Sequence, residues 1–285
     1  MKLAELAARA LAEDLGNSDL SPTRDITTHW ILEGGAGSAR IVARQRGVVA
    51  GLDAARSVFA QVDPTISFLE RVGDGDLVAA GSEVISLDGP IASLLTAERT
   101  ALNFLQHLSG IATLTRQFAE AVQGTGSAIT DTRKTTPGLR ELEKQAVELG
   151  GGVNHRMGLY DAVLIKENHA DAAGGVEAAV SRARQAAAAA GRAVPIYAEA
   201  RDLAEVAALL AAAPDRIMLD NMSVEQMGQA VASIRRATPN TEIEATGGIR
   251  LENVHLVAGT GVDLISVGAL THSAPAFDYS LLLRD

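Results

Sequence analysis

The chain has 285 residues, of which 47% are hydrophobic and 21% charged, and its formal net charge is -10. This length and composition fit a globular protein with one large domain or two smaller ones, and they exclude a disordered chain. The acidic balance argues against general nucleic-acid binding, and no segment approaches the ~20 consecutive apolar residues of a membrane span. The absence of cysteine excludes disulfides, thiolate nucleophiles and Cys-ligated metals, and we expect a cytoplasmic protein.

The first 90 residues contain strand-like segments separated by Gly and Asp turns, at 38–51, 65–72 and 74–89. No helical pattern separates the last two segments, so we expect them to pair antiparallel. The next segment, 91–123, has apolar residues at three- and four-residue spacing, which indicates a helix. We expect Gly110 to break or bend this segment into two helices.

From about residue 127 onward, short apolar segments alternate with Ala-rich helical patterns. The apolar segments lie at 127–130, 161–169, 194–200, 216–221, 241–248 and 262–268. This alternation is typical of parallel strands covered by helices, as in βα barrels. Six units are fewer than the eight of a standard barrel. We therefore expect an incomplete barrel, or a seventh strand near 150–156.

These patterns predict an α/β fold with two domains. A sheet-and-helix domain extends over 1–105, and the barrel extends over 106–274. We expect the closing segment, 275–285, to return to the first domain.

In βα barrels the chemistry is found at the carboxyl ends of the strands, where the βα loops converge. The predicted strand ends in this chain carry cations, carboxylates and glycines. These residues are Asp131, Arg133, Lys134, Lys166, Glu199, Asp220, Thr246, Gly247, Gly248 and Gly268. If the strands are correct, these groups face one another across a single opening.

The chemistry of these groups points to an anionic ligand. Lys166 follows an apolar strand, where a lysine is seldom buried without a partner. Glu199 and Asp220 fit an Mg²⁺ site, although each could also be a helix N-cap or an ion-pair partner. The glycine turns at 247–248 and 268 precede helix-like segments and suit a phosphate.

Two further segments carry adjacent cations. Arg133 and Lys134 lie in DTRKTTPGLR, and His155 and Arg156 lie in GGGVNHRMG. The first could be a solvated surface turn and the second a flexible loop. Together with the strand-end groups, however, they favour a clamp for an anion, since the arginine fork matches a carboxylate.

The segment 131–169 resembles the signature sequence of the quinolinate phosphoribosyltransferase family. The segments 97–113, 216–222, 244–249 and 265–273 resemble it as well, in the same order along the chain. The resemblance implies an open-faced α/β sandwich domain followed by an incomplete (β/α) barrel of six to seven parallel strands. It also implies a pentosyltransferase that works as a homodimer with shared active sites, or as a higher oligomer built from it. Such an enzyme converts quinolinate and phosphoribosyl pyrophosphate (PRPP) to nicotinate mononucleotide, pyrophosphate and CO₂ in NAD biosynthesis.

The resemblance also implies roles for individual residues. Those expected to bind the quinolinate carboxylates are Arg133, His155, Arg156 and Lys166, with Arg99 supplied by the partner subunit. Those expected to act on PRPP are the catalytic residues Lys134, Glu199 and Asp220, the last two serving its ribose and Mg²⁺. Those expected around its 5′-phosphate are Thr246, Gly247, Gly248, Gly268 and His272.

The chain departs from the family pattern in one strand. The family usually has two alternating glutamates there, as EVEV, whereas this chain has IYAEA, so that Tyr197 replaces the first glutamate and Glu199 remains. This substitution puts the metal or ribose contacts in doubt more than the reaction. EATGG in place of EASGG keeps the hydroxyl group.

Two other functions remain open at this stage. A related phosphoribosyltransferase acting on another base would share the fold and the glycine turns. A non-catalytic phosphate-binding protein could keep the glycine turns without Lys134, Glu199 or Asp220, all of which are present here. The carrier-like hairpin at 74–89 is excluded as a lipoyl or biotinyl site, since no lysine lies between Lys2 and Lys134.

Overall fold

The structure is a computed structural model that describes residues 2–16 and 20–284. Its strands are β1 (Ala36–Ala43), β2 (Gly47–Val48), β3 (Ser67–Glu70), β4 (Leu77–Val78), β5 (Glu83–Pro90), β6 (Ala128–Thr130), β7 (Val163–Ile165), β8 (Ile196–Ala200), β9 (Arg216–Asp220), β10 (Glu242–Thr246), β11 (Leu264–Ser266) and β12 (Tyr279–Leu283). Its helices are α1 (Leu3–Leu15), α2 (Ile26–Ile31), α3 (Leu52–Val62), α4 (Ile91–Ala121), α5 (Arg140–Leu149), α6 (Glu167–Ala173), α7 (Val176–Ala189), α8 (Leu203–Ala212), α9 (Val224–Ala237), α10 (Val254–Ala258) and α11 (Ala269–His272).

The chain forms two compact units. The first comprises Met1–Leu114, Pro137–Gly150 and Ala274–Asp285, and the second comprises Thr115–Thr136 and Gly151–Ser273. The boundary at residue 105 drawn from the sequence differs from this division, which also places 137–150 in the first unit. The physical reason is that Leu139 and Leu142 pack against the hydrophobic core of the first unit.

The first unit is built on an antiparallel sheet with the strand order β12-β1-β5-β3. The expected pairing of 65–72 with 74–89 is confirmed, because β3 pairs antiparallel with β5 from Ser67↔Asp88 to Glu70↔Ile85. The closing strand β12 pairs antiparallel with β1 and forms an edge of the sheet. Side chains of β1 and β5, such as Ile41 and Leu87, share one core with residues of α1, α3 and α4. The unit is therefore an α/β sandwich.

Gly110 has a packing role in the first unit. Helix α4 continues from Ile91 to Ala121, so Gly110 does not divide it into two helices as the sequence suggested. A Cβ atom built on Gly110 would lie only 2.2 Å from the carbonyl oxygen of Pro275. Glycine is therefore required because the backbone of the C-terminal segment passes directly against the helix.

The second unit contains a parallel sheet with the strand order β6-β11-β10-β9-β8-β7. All six apolar segments predicted as barrel strands form strands of this sheet. The expected seventh strand near 150–156 is reduced to a single parallel bridge between Thr130 and Val153. In the described part of the chain β6 and β7 are the two edges of the sheet, so the barrel is incomplete.

No helix within the described residues is long and apolar enough to cross a membrane.

The two helical glycines Gly110 and Gly228 give a matched test of this packing. We expect Gly110→Ala to lower the free energy of unfolding by about 1–3 kcal/mol, since the added methyl group overpacks the contact with Pro275. Gly228→Ala, in α9 with open space around the built Cβ, should raise it by about 0.5–1 kcal/mol through better helix propensity. Urea denaturation of both variants measures the difference. Equal effects of the two substitutions would contradict the role assigned to Gly110.

Candidate active site

A cavity of about 270 Å³ opens in the second unit, at the carboxyl ends of the parallel strands. Its lining combines cations with carboxylates, hydroxyl groups and two apolar side chains. The lining residues are Thr132, Arg133, Lys134, His155, Arg156, Leu164, Lys166, Glu199, Met218, Glu244, Thr246 and Ser266. The sheet therefore brings seven of the predicted site residues together in one cavity: Arg133, Lys134, His155, Arg156, Lys166, Glu199 and Thr246.

Lys166 and Glu199 form an ion pair in this cavity, with Nζ donating to Oε1. The Glu199 side chain is only 9% exposed, whereas that of Lys166 is 53% exposed. Burial raises the pKa of Glu199, and the negative charges of Asp220 and Glu167 act in the same direction, while Lys166 opposes the rise. The ammonium group therefore balances a carboxylate that is otherwise poorly solvated.

Arg133 and Arg156 place two guanidinium groups near each other. Burial lowers the pKa of Arg156, and the positive charge of Arg133 lowers it further. Nη1 of Arg156 donates to the carbonyl oxygen of Ala162 at 2.9 Å, which holds the side chain in position. Two cations that destabilise each other are stabilised when an anion binds between them, so this part of the cavity suits a carboxylate or phosphate.

His155 is held by its backbone and by its ring. Its N–H donates to Oδ1 of Asp131 at 2.9 Å, and its Nδ1 accepts from the N–H of Arg156 at 2.8 Å. Asp131 is completely buried and immediately follows β6. The bond between Asp131 and His155 therefore ties the 150–156 segment to the end of that strand.

Lys134, Gly268 and His272 lie together at the end of β11. A Cβ atom built on Gly268 would lie 3.1 Å from Cδ of Lys134 and 3.3 Å from the His272 ring, so the absence of a side chain lets the lysine pass. Oγ1 of Thr271 donates to the carbonyl oxygen of Lys134 at 2.9 Å. A lysine and a histidine on either side of Gly268 suit a phosphate group.

The turn after β10 requires glycine. Gly247 has φ +88°, and a Cβ atom built on it would lie 2.3 Å from the Asn221 side chain. Gly248 also has positive φ, with open space around the position of a Cβ atom. Asp220 lies opposite Thr246 in the sheet register, at the neighbouring strand end, outside the residues that line the cavity.

Arg99 and Lys144 lie in the first unit. Arg99 is exposed on α4. Three of the four lysines of the chain, Lys134, Lys144 and Lys166, lie within one stretch, 134–166, yet the Lys144 side chain is completely buried in α5. The concentration of lysines in that stretch therefore does not by itself mark a ligand site.

Sequence reasoning missed several lining residues, namely Thr132, Leu164, Met218, Glu244 and Ser266. Glu244 could have been found, because it precedes Thr246 by two residues and the side chains of a strand alternate between its faces. Met218 has the same relation to Asp220. Leu164 carries no chemical signal in the sequence that separates it from an ordinary core residue.

No group of three or more His, Asp or Glu side chains in the described residues is arranged to hold a metal ion. Glu199 and Asp220 are a pair of carboxylates at successive strand ends. Oxygen ligands of this kind suit Mg²⁺, which commonly keeps water and substrate oxygens as its other ligands.

The loop that follows Arg156 depends on Asp161, whose carboxylate accepts from the N–H groups of Met157 and Gly158. The pKa of Asp161 is lowered: burial acts to raise it, but these two bonds and the charge of Arg156 outweigh that effect. The stabilisation is therefore present above the unfolded-state pKa and is lost as the pH falls through the lower folded-state pKa.

We expect Asp161→Ala to lower the free energy of unfolding by about 1–2 kcal/mol near neutral pH. The difference from the wild type should shrink toward acid pH, as denaturation measured across a pH series would show. Asp161→Asn, which retains an oxygen acceptor but cannot titrate, should show a smaller loss. A difference between Asp161→Ala and the wild type that grows toward acid pH would contradict this account.

The fold and the cavity together define an incomplete α/β-barrel protein with a cation-lined cavity at the carboxyl ends of its parallel strands. Two family models match consecutive parts of the chain: "Quinolinate phosphoribosyl transferase, N-terminal domain" matches residues 25–109, and the C-terminal domain of the same family matches 111–282. The chain belongs to the quinolinate phosphoribosyltransferase family.

Similar proteins have been found in sequence and in structure. The chain is 43% identical to the nicotinate-nucleotide pyrophosphorylase (carboxylating) of Mycobacterium leprae, with 96% of each chain covered. It is 44% identical to a probable enzyme of the same name from Synechocystis sp., covering 95% of this chain and 89% of the relative. The structure of the nicotinate-nucleotide pyrophosphorylase from Francisella tularensis matches with a TM-score of 0.91 and 38% identity, covering 99% of this chain and 96% of that one.

Proposed function

We propose that the chain transfers the phosphoribosyl group of PRPP to the nitrogen of quinolinate and removes one carboxylate as CO₂. The products are nicotinate mononucleotide and pyrophosphate, and the reaction serves NAD biosynthesis. The observation that carries this proposal is the concentration of cations in one cavity of a protein with a net charge of -10. The names of its close relatives give the same reaction.

The cavity supports the binding of a dicarboxylate. Positive charge comes from Arg133, Arg156 and Lys166. The electrostatic repulsion between the two guanidinium groups is reduced when a carboxylate binds. Because Lys166 is half exposed, its ammonium group can contact a substrate carboxylate while it stays beside Glu199. His155 completes this part of the lining.

The second substrate would lie along the neighbouring strand ends. Lys134 would contact PRPP, and Thr246, Gly247, Gly248, Gly268 and His272 would lie around its 5′-phosphate. Breaking the bond from ribose C1 to pyrophosphate builds positive charge on the sugar and negative charge on the leaving group. Lys134 stabilises the leaving group, and Glu199 can stabilise the sugar.

Glu199 and Asp220 are the residues that would hold Mg²⁺, directly or through water and substrate oxygens. They fit the ion because both offer oxygen ligands, and the charge of Asp220 already disfavours the ionised form of Glu199. When bound, Mg²⁺ supplies Lewis-acid stabilisation of charge on the leaving pyrophosphate.

Decarboxylation needs no covalent nucleophile from the protein. Once the ring nitrogen carries the ribosyl group, the C–C bond to the departing CO₂ breaks and the adjacent positive nitrogen stabilises the electron pair that stays on the ring carbon. A proton from solvent or from a cavity ammonium group then forms the C–H bond of the product. The cavity residues need only orient the ring and exclude water.

The first test is an assay of the purified protein with PRPP and Mg²⁺, offering quinolinate or nicotinate in separate reactions. We expect nicotinate mononucleotide and CO₂ with quinolinate and no product with nicotinate. Product with nicotinate alone would overturn the proposal. Binding of PRPP with no product from either acid would favour a related transferase that acts on another base.

We also propose that the enzyme is a cytoplasmic homodimer, in which each active site is completed by Arg99 of the partner subunit. The exposed side chain of Arg99 on α4 supports this proposal, as does the resemblance of the segment that contains it to the family signature. A higher oligomer could be built from such dimers.

The shared site predicts complementation between inactive chains. Mixed dimers of Arg99→Ala and Lys166→Ala chains contain one intact site of two, so activity should recover to about half of the wild type, because each site uses Arg99 from one chain and Lys166 from the other. Mixed dimers of Lys166→Ala and Glu199→Ala chains are the control and should remain inactive, since both residues belong to the same chain's site. Equal activity in the two mixtures would argue against a shared site.

A further inference from the structure

Deeper in the sheet than the strand ends, the wall of the cavity contains a cluster of charged side chains that the proposed reaction does not use. Tyr197, Arg216 and Glu242 lie opposite one another on β8, β9 and β10, and Glu244 follows on the same face of β10. Nη1 of Arg216 donates to Oε2 of Glu244 at 2.6 Å, and Nε donates to Oε2 of Glu242 at 2.6 Å. The Glu244 side chain is completely buried, whereas that of Glu242 is 42% exposed.

This cluster packs against His155. Oε2 of Glu244 lies 3.5 Å from Nε2 of His155. The ring of Tyr197 meets the His155 ring edge-on, with 5.7 Å between centroids, and the guanidinium of Arg216 lies 4.2 Å from the centroid of the tyrosine ring. Arg216 therefore contacts both side chains, Glu244 and Tyr197, that lie next to the imidazole on this side.

The hydrogen bonds of His155 define where its ring carries a proton. Nδ1 accepts from the backbone N–H of Arg156 at 2.8 Å, and this bond favours a lone pair on Nδ1. A proton on Nδ1 would break that bond and bring two donors face to face. The ring proton therefore belongs on Nε2, the nitrogen that faces Glu244.

We propose that Glu244 is a positioning residue that fixes His155 as the neutral tautomer protonated at Nε2, and that Arg216 holds Glu244 in place for this purpose. The single ring proton is then directed at Glu244, so His155 lines the cavity as an oriented, uncharged ring. The positive charge that attracts the substrate carboxylates comes from Arg133, Arg156 and Lys166. An orienting carboxylate behind a histidine is a common device for selecting one tautomer.

Glu244 is suited to this role because it stays ionised. Burial acts to raise its pKa, but the hydrogen bond from the His155 side chain and the charge of Arg216 outweigh burial and lower it. Arg216 balances the charge and has a second partner in Glu242, so the arginine remains paired if Glu244 is replaced.

The test uses ¹⁵N NMR of protein labelled on histidine, without substrate, near neutral pH. His155→Gln identifies the His155 signals among the six histidines. We expect a pyridine-type Nδ1 and a protonated, pyrrole-type Nε2 in the wild type. Two protonated nitrogens, or a proton on Nδ1, would overturn the proposal even if every Glu244 variant failed to fold.

Three variants then separate positioning from packing. Glu244→Leu, which removes the acceptor, should mix the tautomers and raise the KM for quinolinate about tenfold with a smaller change in kcat, as expected when a hydrogen bond to a charged group is lost. Glu244→Gln keeps an oxygen acceptor and should keep the tautomer. Glu242→Gln is the matched control, because it contacts the same arginine but not His155, and it should change neither the spectrum nor the KM. A wild-type tautomer in folded Glu244→Leu would refute the role of Glu244.

Only the KM readout rests on the proposed function, because the tautomer is measured without substrate. An inactive protein with the expected spectrum would contradict the proposed function alone. An active enzyme with a charged His155 would contradict this inference alone.

Discussion

The register of β8, β9 and β10 determines where the buried charges of the cavity lie. Glu199 lies opposite Met218, and Met218 lies opposite Glu244, so two carboxylates flank one apolar side chain on the same layer of the sheet. A shift of one residue in any of these strands would turn its side chains to the other face. Since a buried carboxylate must be paired, each needs its own cation: Lys166 for Glu199 and Arg216 for Glu244.

The two ion pairs differ in exposure, and this difference separates structural charge from charge available to a ligand. The side chains of Arg216 and Glu244 are 10% and 0% exposed, and breaking such a buried pair by removing one partner typically costs about 3–5 kcal/mol. Lys166 is 53% exposed although its partner Glu199 is only 9% exposed. The ammonium group can therefore contact a ligand while it stays beside Glu199, whereas Arg216 is enclosed.

The parts of this structure that are signalled locally could be predicted from the sequence. Near-continuous apolar segments marked the six parallel strands, and residues at their carboxyl ends, such as Lys166 and Glu199, reached the cavity because parallel strands end at one edge of the sheet. The packing role of Gly110 was not predictable, because its partner Pro275 lies 165 residues further along the chain. For the same reason the pairing of Arg216 with Glu244 could not be predicted, because strand register depends on both strands. The burial of Lys144 in the first unit could not be predicted either.

Tyr197 shows how the chain accommodates its departure from the two-glutamate pattern of this strand. The first position of that pattern lies opposite Arg216 on the neighbouring strand, where a glutamate would be a direct partner for the arginine. Here the tyrosine ring takes that place through a cation–π contact, worth about 0.5–2 kcal/mol. The full negative charge that the arginine requires comes from Glu242 and Glu244 on the opposite side, in β10. The substitution therefore changes the packing against His155 and leaves Glu199, two residues further along β8, with Lys166 as its partner at the cavity.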